Sequence, residues 1–184
     1  VSRKYRTFNT IYWSLRKMSH DLQYKTIKKI LIDYNVDPFD FCRNQAMSWE
    51  MIKEISESKI GTIGAHTIKH IALSKLSEIK VREEAESSRD LITKYIGKIT
   101  RHFSYPFGDV SSATTREFKI IKELNFATAT TTRKGLLYPE HAQHLHALPR
   151  VSLNGCYQKQ RYIKLFLSGT PFALWQKFNR VNVN

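Results

Sequence analysis

Between residues 59 and 153, short β-branched or aromatic runs alternate with segments of helical periodicity, and no other feature of this chain constrains its fold as much. Residues 59–65, 101–105, 126–131 and 147–153 read as strands. Between the first two, Val81, Ala85, Ser88, Ile92 and Tyr95 recur at helical spacing, with Ser77 as the cap and Gly97 as the stop. Phe118, Ile121 and Leu124 share one side of a second helix over 114–124. Strands separated by helices predict a parallel α/β fold, in which ligands meet the carboxyl ends of the strands. Two unusual runs fall at such ends: Gly64-Ala-His-Thr-Ile-Lys-His70 and His102-Phe-Ser-Tyr-Pro-Phe-Gly-Asp109.

The flanks read as helical. Leu22, Ile27, Ile30, Leu31 and Tyr34 lie near one side of a helix over 21–34, and Ser48 caps another running to Ser58, with Glu50 in its first turn. Further helices are expected around 157–167 and 172–178, and there is no internal repeat. With 184 residues, 41% hydrophobic and 12% aromatic, the chain can bury a core, so disorder is not expected. The formal charge of +14 attracts anionic partners, but Lys and Arg are spread from Arg3 to Arg180, the pattern of a solvated surface; no nucleic-acid partner is expected. Cys42 and Cys156 form no Cys-x-x-Cys pair and read as buried or idle thiols. No apolar run approaches the roughly 18 residues of a membrane span, so a soluble chain without a span is expected. The start at Val leaves room for a signal or anchor upstream.

His66 and His70 stand four apart, and one helical turn after the strand would stack them about 6 Å apart, within reach of a single metal ion. Two surface or capping histidines fit the same spacing. No Glu follows His66, so the helix signature of zinc proteases is absent. An amidohydrolase would require His-x-His at an early strand end, whereas His144 and His146 lie late in a loop.

Four blocks in order carry a resemblance: Met47-Ser-Trp-Glu-Met-Ile-Lys-Glu-Ile; Ile63-Gly-Ala-His-Thr-Ile-Lys-His-Ile-Ala-Leu-Ser-Lys-Leu76; Phe103-Ser-Tyr-Pro-Phe-Gly-Asp109; and Leu148-Pro-Arg-Val-Ser-Leu-Asn-Gly155. Together they resemble the polysaccharide deacetylase family, also called the NodB homology or carbohydrate esterase 4 family, from residue 41 to about Gly155. The resemblance implies a distorted (β/α) barrel that removes N-acetyl groups from sugar polymers with a divalent metal, usually zinc. It makes His66 and His70 metal ligands within His-Thr-x-x-His, with Thr67 and Tyr105 near substrate. It also makes Phe107 the backbone oxyanion contact of Pro106-Phe107-Gly108, and Arg150 a candidate for the guanidinium that orients the catalytic base, because Ser104 stands where many members carry Arg. The late Leu-x-His motif, source of the general acid, is not recognisable; His141, His144 and His146 are nearby candidates.

The family's opening Thr-Phe-Asp-Asp-Gly, which supplies the base and the third metal ligand, does not occur in these 184 residues. Asp33, Asp37 and Asp40 lack its flanking residues. The expected architecture is therefore a partial, distorted barrel missing its opening strand. Residues 1–40 would be a helical insertion-like segment, 41–155 the NodB-like core, and 156–184 helices packed on the same domain. The opening strand and both carboxylates are expected upstream, in a protein of the bacterial cytoplasm or envelope. The expected activity is N-deacetylation of a glycan by the whole protein and little by this piece, with self-association through exposed strand edges. The alternative is a basic, non-catalytic module for anionic glycan or nucleic acid.

Overall fold

Ser2 and Ser19 each accept a hydrogen bond from the backbone three residues on, at Tyr5 (3.3 Å) and Leu22 (3.4 Å), which satisfies donors that a helix start leaves open. These caps begin α1 (Arg3–Lys17) and α2 (His20–Asp33), and α3 (Pro38–Arg43) follows. The computed structural model describes residues 2–43 and 45–183, the side chains of Phe41 and Cys156 excepted. The chain divides into two compact units, Val1–Ser48 and Trp49–Asn184. In the first unit neither α1 nor α2 contains a buried residue. The sequence pattern predicts α2 but not α1, whose Phe8 and Tyr12 stack at 6.0 Å along its aromatic side. Cys42 is free and exposed rather than buried, the idle thiol of the two alternatives expected; the side chain of Cys156 lies outside the described residues.

The second unit opens with α4 (Trp49–Glu57), held by the Trp49 ring stacked 4.0 Å from Tyr95 at 6°. Tyr95 belongs to α5 (Glu78–Ile96), the helix best specified by local chemistry. The Ser77 side chain accepts from Lys80 N–H, and Gly97 closes the helix at φ 73°, a left-handed value glycine adopts without steric cost. Then come β1 (His102–Ser104), α6 (Thr115–Glu123), β2 (Thr128–Lys134), β3 (Leu148–Arg150), α7 (Gln160–Leu167) and α8 (Thr170–Trp175). The three strands are parallel in the order β1-β2-β3, with Phe103 opposite Ala129 and Thr130 opposite Leu148.

Residues 59–65, expected as a strand, do not form one. Only Ala65 bridges to Phe103, because a strand needs partner groups along its length and this segment meets β1 at a single residue.

Successive strand side chains face opposite ways. Phe103 and Ala129 point to the core with Leu73, Val81, Ala85, Ile121 and Phe126. Full burial of a side chain such as Val81 or Ile121 contributes about 1.5–3 kcal/mol. His102, Ser104, Thr128 and Thr130 therefore point to the other face, where they line a hollow of about 510 Å³. No helix among the described residues is long and apolar enough to cross a membrane.

Candidate active site

The site begins where the chain leaves the sheet beside β1. Ala65 N–H donates to the His102 carbonyl at 2.8 Å and the Ala65 carbonyl accepts from Ser104 N–H at 2.9 Å, so His66 emerges level with Ser104 at the carboxyl end. Nδ1 of His66 lies 2.7 Å from the Ser104 carbonyl oxygen. A carbonyl only accepts, so Nδ1 carries the proton and Nε2 keeps its lone pair, the form in which an imidazole ligates a metal.

Spacing predicts a helical turn from His66 to His70, but the backbone makes a left-handed excursion with φ 65° at Thr67 and 52° at His70. Holding a β-branched residue in that region costs about 1–3 kcal/mol. Three hydrogen bonds oppose this cost: His70 N–H to Thr67 Oγ1 at 3.0 Å, and the N–H groups of Ile68 and Lys69 to the same Glu84 Oε2, each at 2.9 Å. Bonds to a charged acceptor contribute about 1.5–3 kcal/mol each, so the Glu84 pair suffices to hold the turn. The histidines meet with ring centroids 4.8 Å apart at 72°. The motif reading misses Glu84. The available signal is a glutamate on the side of α5 that also carries Val81, Ala85 and Ser88, all buried.

The second run adds the Pro106-Phe107-Gly108 turn. Phe107 sits at φ 63° and Gly108 at 61°. The Phe107 carbonyl accepts from Thr132 Oγ1 at 2.5 Å and the Gly108 carbonyl from Thr132 N–H at 3.0 Å, tying the turn to β2. A Cβ at Gly108 would meet Thr132 N at 2.7 Å, a contact only glycine avoids. The Phe107 ring lies edge-on to His70 at 4.9 Å. His66, Thr67, His70 and Phe107 thus form one cluster.

Arg150 ends β3 with an exposed side chain. Three strand spacings, about 14 Å at ~4.8 Å each, lie between it and the Ala65 segment. Tyr105, expected near substrate, is a core residue at 1% exposure, and its hydroxyl donates to the His146 carbonyl at 2.8 Å. Burial, reinforced by Glu117, pushes that hydroxyl far above the ordinary tyrosine range. His146 bonds through Nε2 to the Phe126 carbonyl at 2.7 Å, and both residues precede their strands. It therefore lies at the amino edge of the sheet, away from the histidine pair. His141 is buried and accepts from Tyr138 N–H at 3.0 Å. Asp33, Asp37 and Asp40 make local ion pairs, Asp33 with Lys29 and the other two with Arg43.

The donor set suits part of a metal site. Two imidazoles, one with its tautomer fixed through Ser104, match the nitrogen ligands zinc takes. Among the described residues no group of three or more His, Cys, Asp or Glu converges to complete it.

Residues 6–129 match the family model described as polysaccharide deacetylase. The matched span takes in His66, His70 and Phe107, and stops short of Arg150. A Streptococcus pyogenes deacetylase, PplD, determined in complex with acetate, is similar in fold at 22% identity and a TM-score of 0.56, over 64% of this chain and 50% of that one. A polysaccharide deacetylase from Bacillus cereus matches at 28% identity and a TM-score of 0.50, over 58% and 32%. IcaB from Ammonifex degensii matches at 25% and 0.51, over 63% and 52%. The chain thus spans between a third and about half of these solved chains. Comparison with curated proteins returns no match.

Proposed function

Since this chain belongs to the polysaccharide deacetylase family, we propose that it contributes the histidine half of a metal-dependent active site that hydrolyses N-acetyl groups on a glycan. The observation that carries the proposal is the His66–His70 pair, 4.8 Å apart, with Nε2 of His66 left as the donor by the Nδ1 bond to Ser104. His66 and His70 would hold a divalent ion, zinc by ligand type. When bound, such an ion supplies Lewis acidity toward an acyl oxygen.

The chain's own residues then have separate tasks. Thr67 shapes the turn through its bond to His70 N–H. The Pro106-Phe107-Gly108 turn, packed on His70, offers its Phe107 backbone N–H as the contact for a developing oxyanion. Arg150, at the carboxyl end of β3, enters as the orienting guanidinium on the strength of its Leu-Pro-Arg block. Tyr105 contributes to the site only as packing beneath it. The general base and a third ligand have no counterpart in this sequence, so the chain alone should turn over little substrate. Groups that act as a unit lose most of the rate when one is removed. Self-association at the sheet edge beside Ala65 is a companion proposal, motivated by the single bridge that covers it, and sedimentation tests it.

Acetate release from N-acetylated glycan oligomers, with zinc added, decides the matter. The chain is assayed beside an N-terminally extended form carrying Thr-Phe-Asp-Asp-Gly. Turnover by the extended form that disappears in its His66→Ala variant is the expected result. Comparable turnover by both forms would show that the missing run is dispensable, and turnover indifferent to His66 would end the metal reading.

A further inference from the structure

We propose that Glu84 is a positioning residue, whose carboxylate folds the His-Thr-x-x-His run into the left-handed turn that brings its two imidazoles together. The use of that pair for a metal rests on the function proposed above; the geometry does not. Three features of the second unit converge on this one side chain.

First, one oxygen makes both contacts. Glu84 Oε2 accepts from Ile68 N–H and Lys69 N–H, each at 2.9 Å, and these are the two central residues between the histidines. Neither N–H donates to a backbone carbonyl among the described residues, so the carboxylate supplies the acceptor that this backbone path leaves wanting. Second, the path it selects is one the sequence resists. Thr67 is β-branched and sits at φ 65°, and His70 at φ 52°, with no glycine between them to relieve the turn. Third, Glu84 is placed firmly enough to impose that path. It is 9% exposed on α5, between Val81 and Ala85, which are both fully buried. That helix is capped at both ends, by the Ser77 side chain and by Gly97 at φ 73°. Its acceptor Oε2 is directed at backbone rather than at a ligand. These bonds go to the backbone between the histidines, so its influence on the imidazoles passes through the turn.

The test uses the full chain with Glu84→Ala and Glu84→Gln. Three readouts are followed: hydrogen exchange at the Ile68 and Lys69 amides, NMR contacts between the His66 and His70 ring protons, and thermal unfolding. In the parent, both amides should exchange at least about tenfold more slowly than an unbonded surface amide, and the rings should be in contact. Glu84→Ala should lose both signals. Glu84→Gln should keep the ring contact, since its amide oxygen still accepts, with protection reduced severalfold by loss of the charge.

Unprotected amides in the parent would overturn the proposal, as would ring contacts that persist in a folded Glu84→Ala variant. Should Glu84→Ala fail to fold, Glu84→Gln decides: weakened protection with the contact retained supports it, and unchanged protection overturns it. Zinc titration of the parent judges the metal reading separately. Absence of zinc binding beside protected amides and touching rings would sink the function proposed above and leave the role of Glu84 standing.

Discussion

The carbonyl oxygen of Ser104 and Nδ1 of His66 lie 2.7 Å apart across the junction between β1 and the segment beside it. A backbone group of a strand thereby fixes which nitrogen of an exposed imidazole faces outward, and the sheet's register becomes the histidine's tautomer.

At neutral pH, His66 should therefore populate the Nδ1–H tautomer rather than the Nε2–H form usual for free imidazole. Two-bond nitrogen–proton correlations of the ring distinguish the two. A dominant Nε2–H pattern would mean that the Ser104 bond is absent in solution, and Nε2 could not then serve as the ligand atom.

Removing either imidazole should weaken zinc binding without unfolding the chain. His66 and His70 are both exposed, so Ala at either position should leave the chain folded, at a cost of about 1 kcal/mol. The zinc dissociation constant, by calorimetry, should rise at least tenfold in each variant, about 1.4 kcal/mol. Equal affinity in the parent and both variants would place the metal elsewhere.

Tyr105→Phe separates a structural tyrosine from one that binds substrate. The variant leaves the His146 carbonyl without its 2.8 Å donor, and an unsatisfied buried acceptor costs about 1–3 kcal/mol. Urea denaturation should show a loss of that size. Acetate release per folded molecule in the extended form should be unchanged; a fall in turnover with stability intact would restore Tyr105 to the substrate.

Two glycines with similar φ should respond very differently to alanine. At Gly97, φ 73°, an added Cβ meets nothing within 4 Å, so Gly97→Ala should cost only the left-handed penalty, about 1 kcal/mol. At Gly108, φ 61°, the same atom would lie 2.7 Å from Thr132 N, and Gly108→Ala should lose more than about 3 kcal/mol or fail to fold. Equal thermal shifts would show that the Phe107 turn is looser than its bonds to Thr132 imply.

What sequence pattern reveals here follows the range of the interactions concerned. The helix from Ser77 to Gly97 is legible because its cap and its stop are each local chemistry, and α6 because Phe118, Ile121 and Leu124 recur on one side of it. The expected strand over 59–65 fails because its β-branched composition says nothing about partners, and β1 is met only at Ala65. The histidine spacing is legible, but not the shape it takes, since the carboxylate that sets that shape arrives from a helix beginning eight residues downstream of His70. The burial of Tyr105 is legible: strand alternation puts it on the same face as Phe103, and that face is the core. The location of His146 at the amino edge follows from its place just before β3, beside the strand expected over 147–153.

Of the seven non-glycine residues held at positive φ among the described residues, three, Thr67, His70 and Phe107, lie in the histidine cluster. Substitutions that relax such positions, Asn or Gly above all, are among the easiest routes to a more heat-resistant chain. Selection for thermal endurance acting without regard to turnover would draw its cheapest gains from the segment that sets the imidazoles. A variant of this chain improved by heat challenge alone is thus expected to become tougher and chemically blunter together, whereas one screened for both properties would gather its changes in the helices of the first unit.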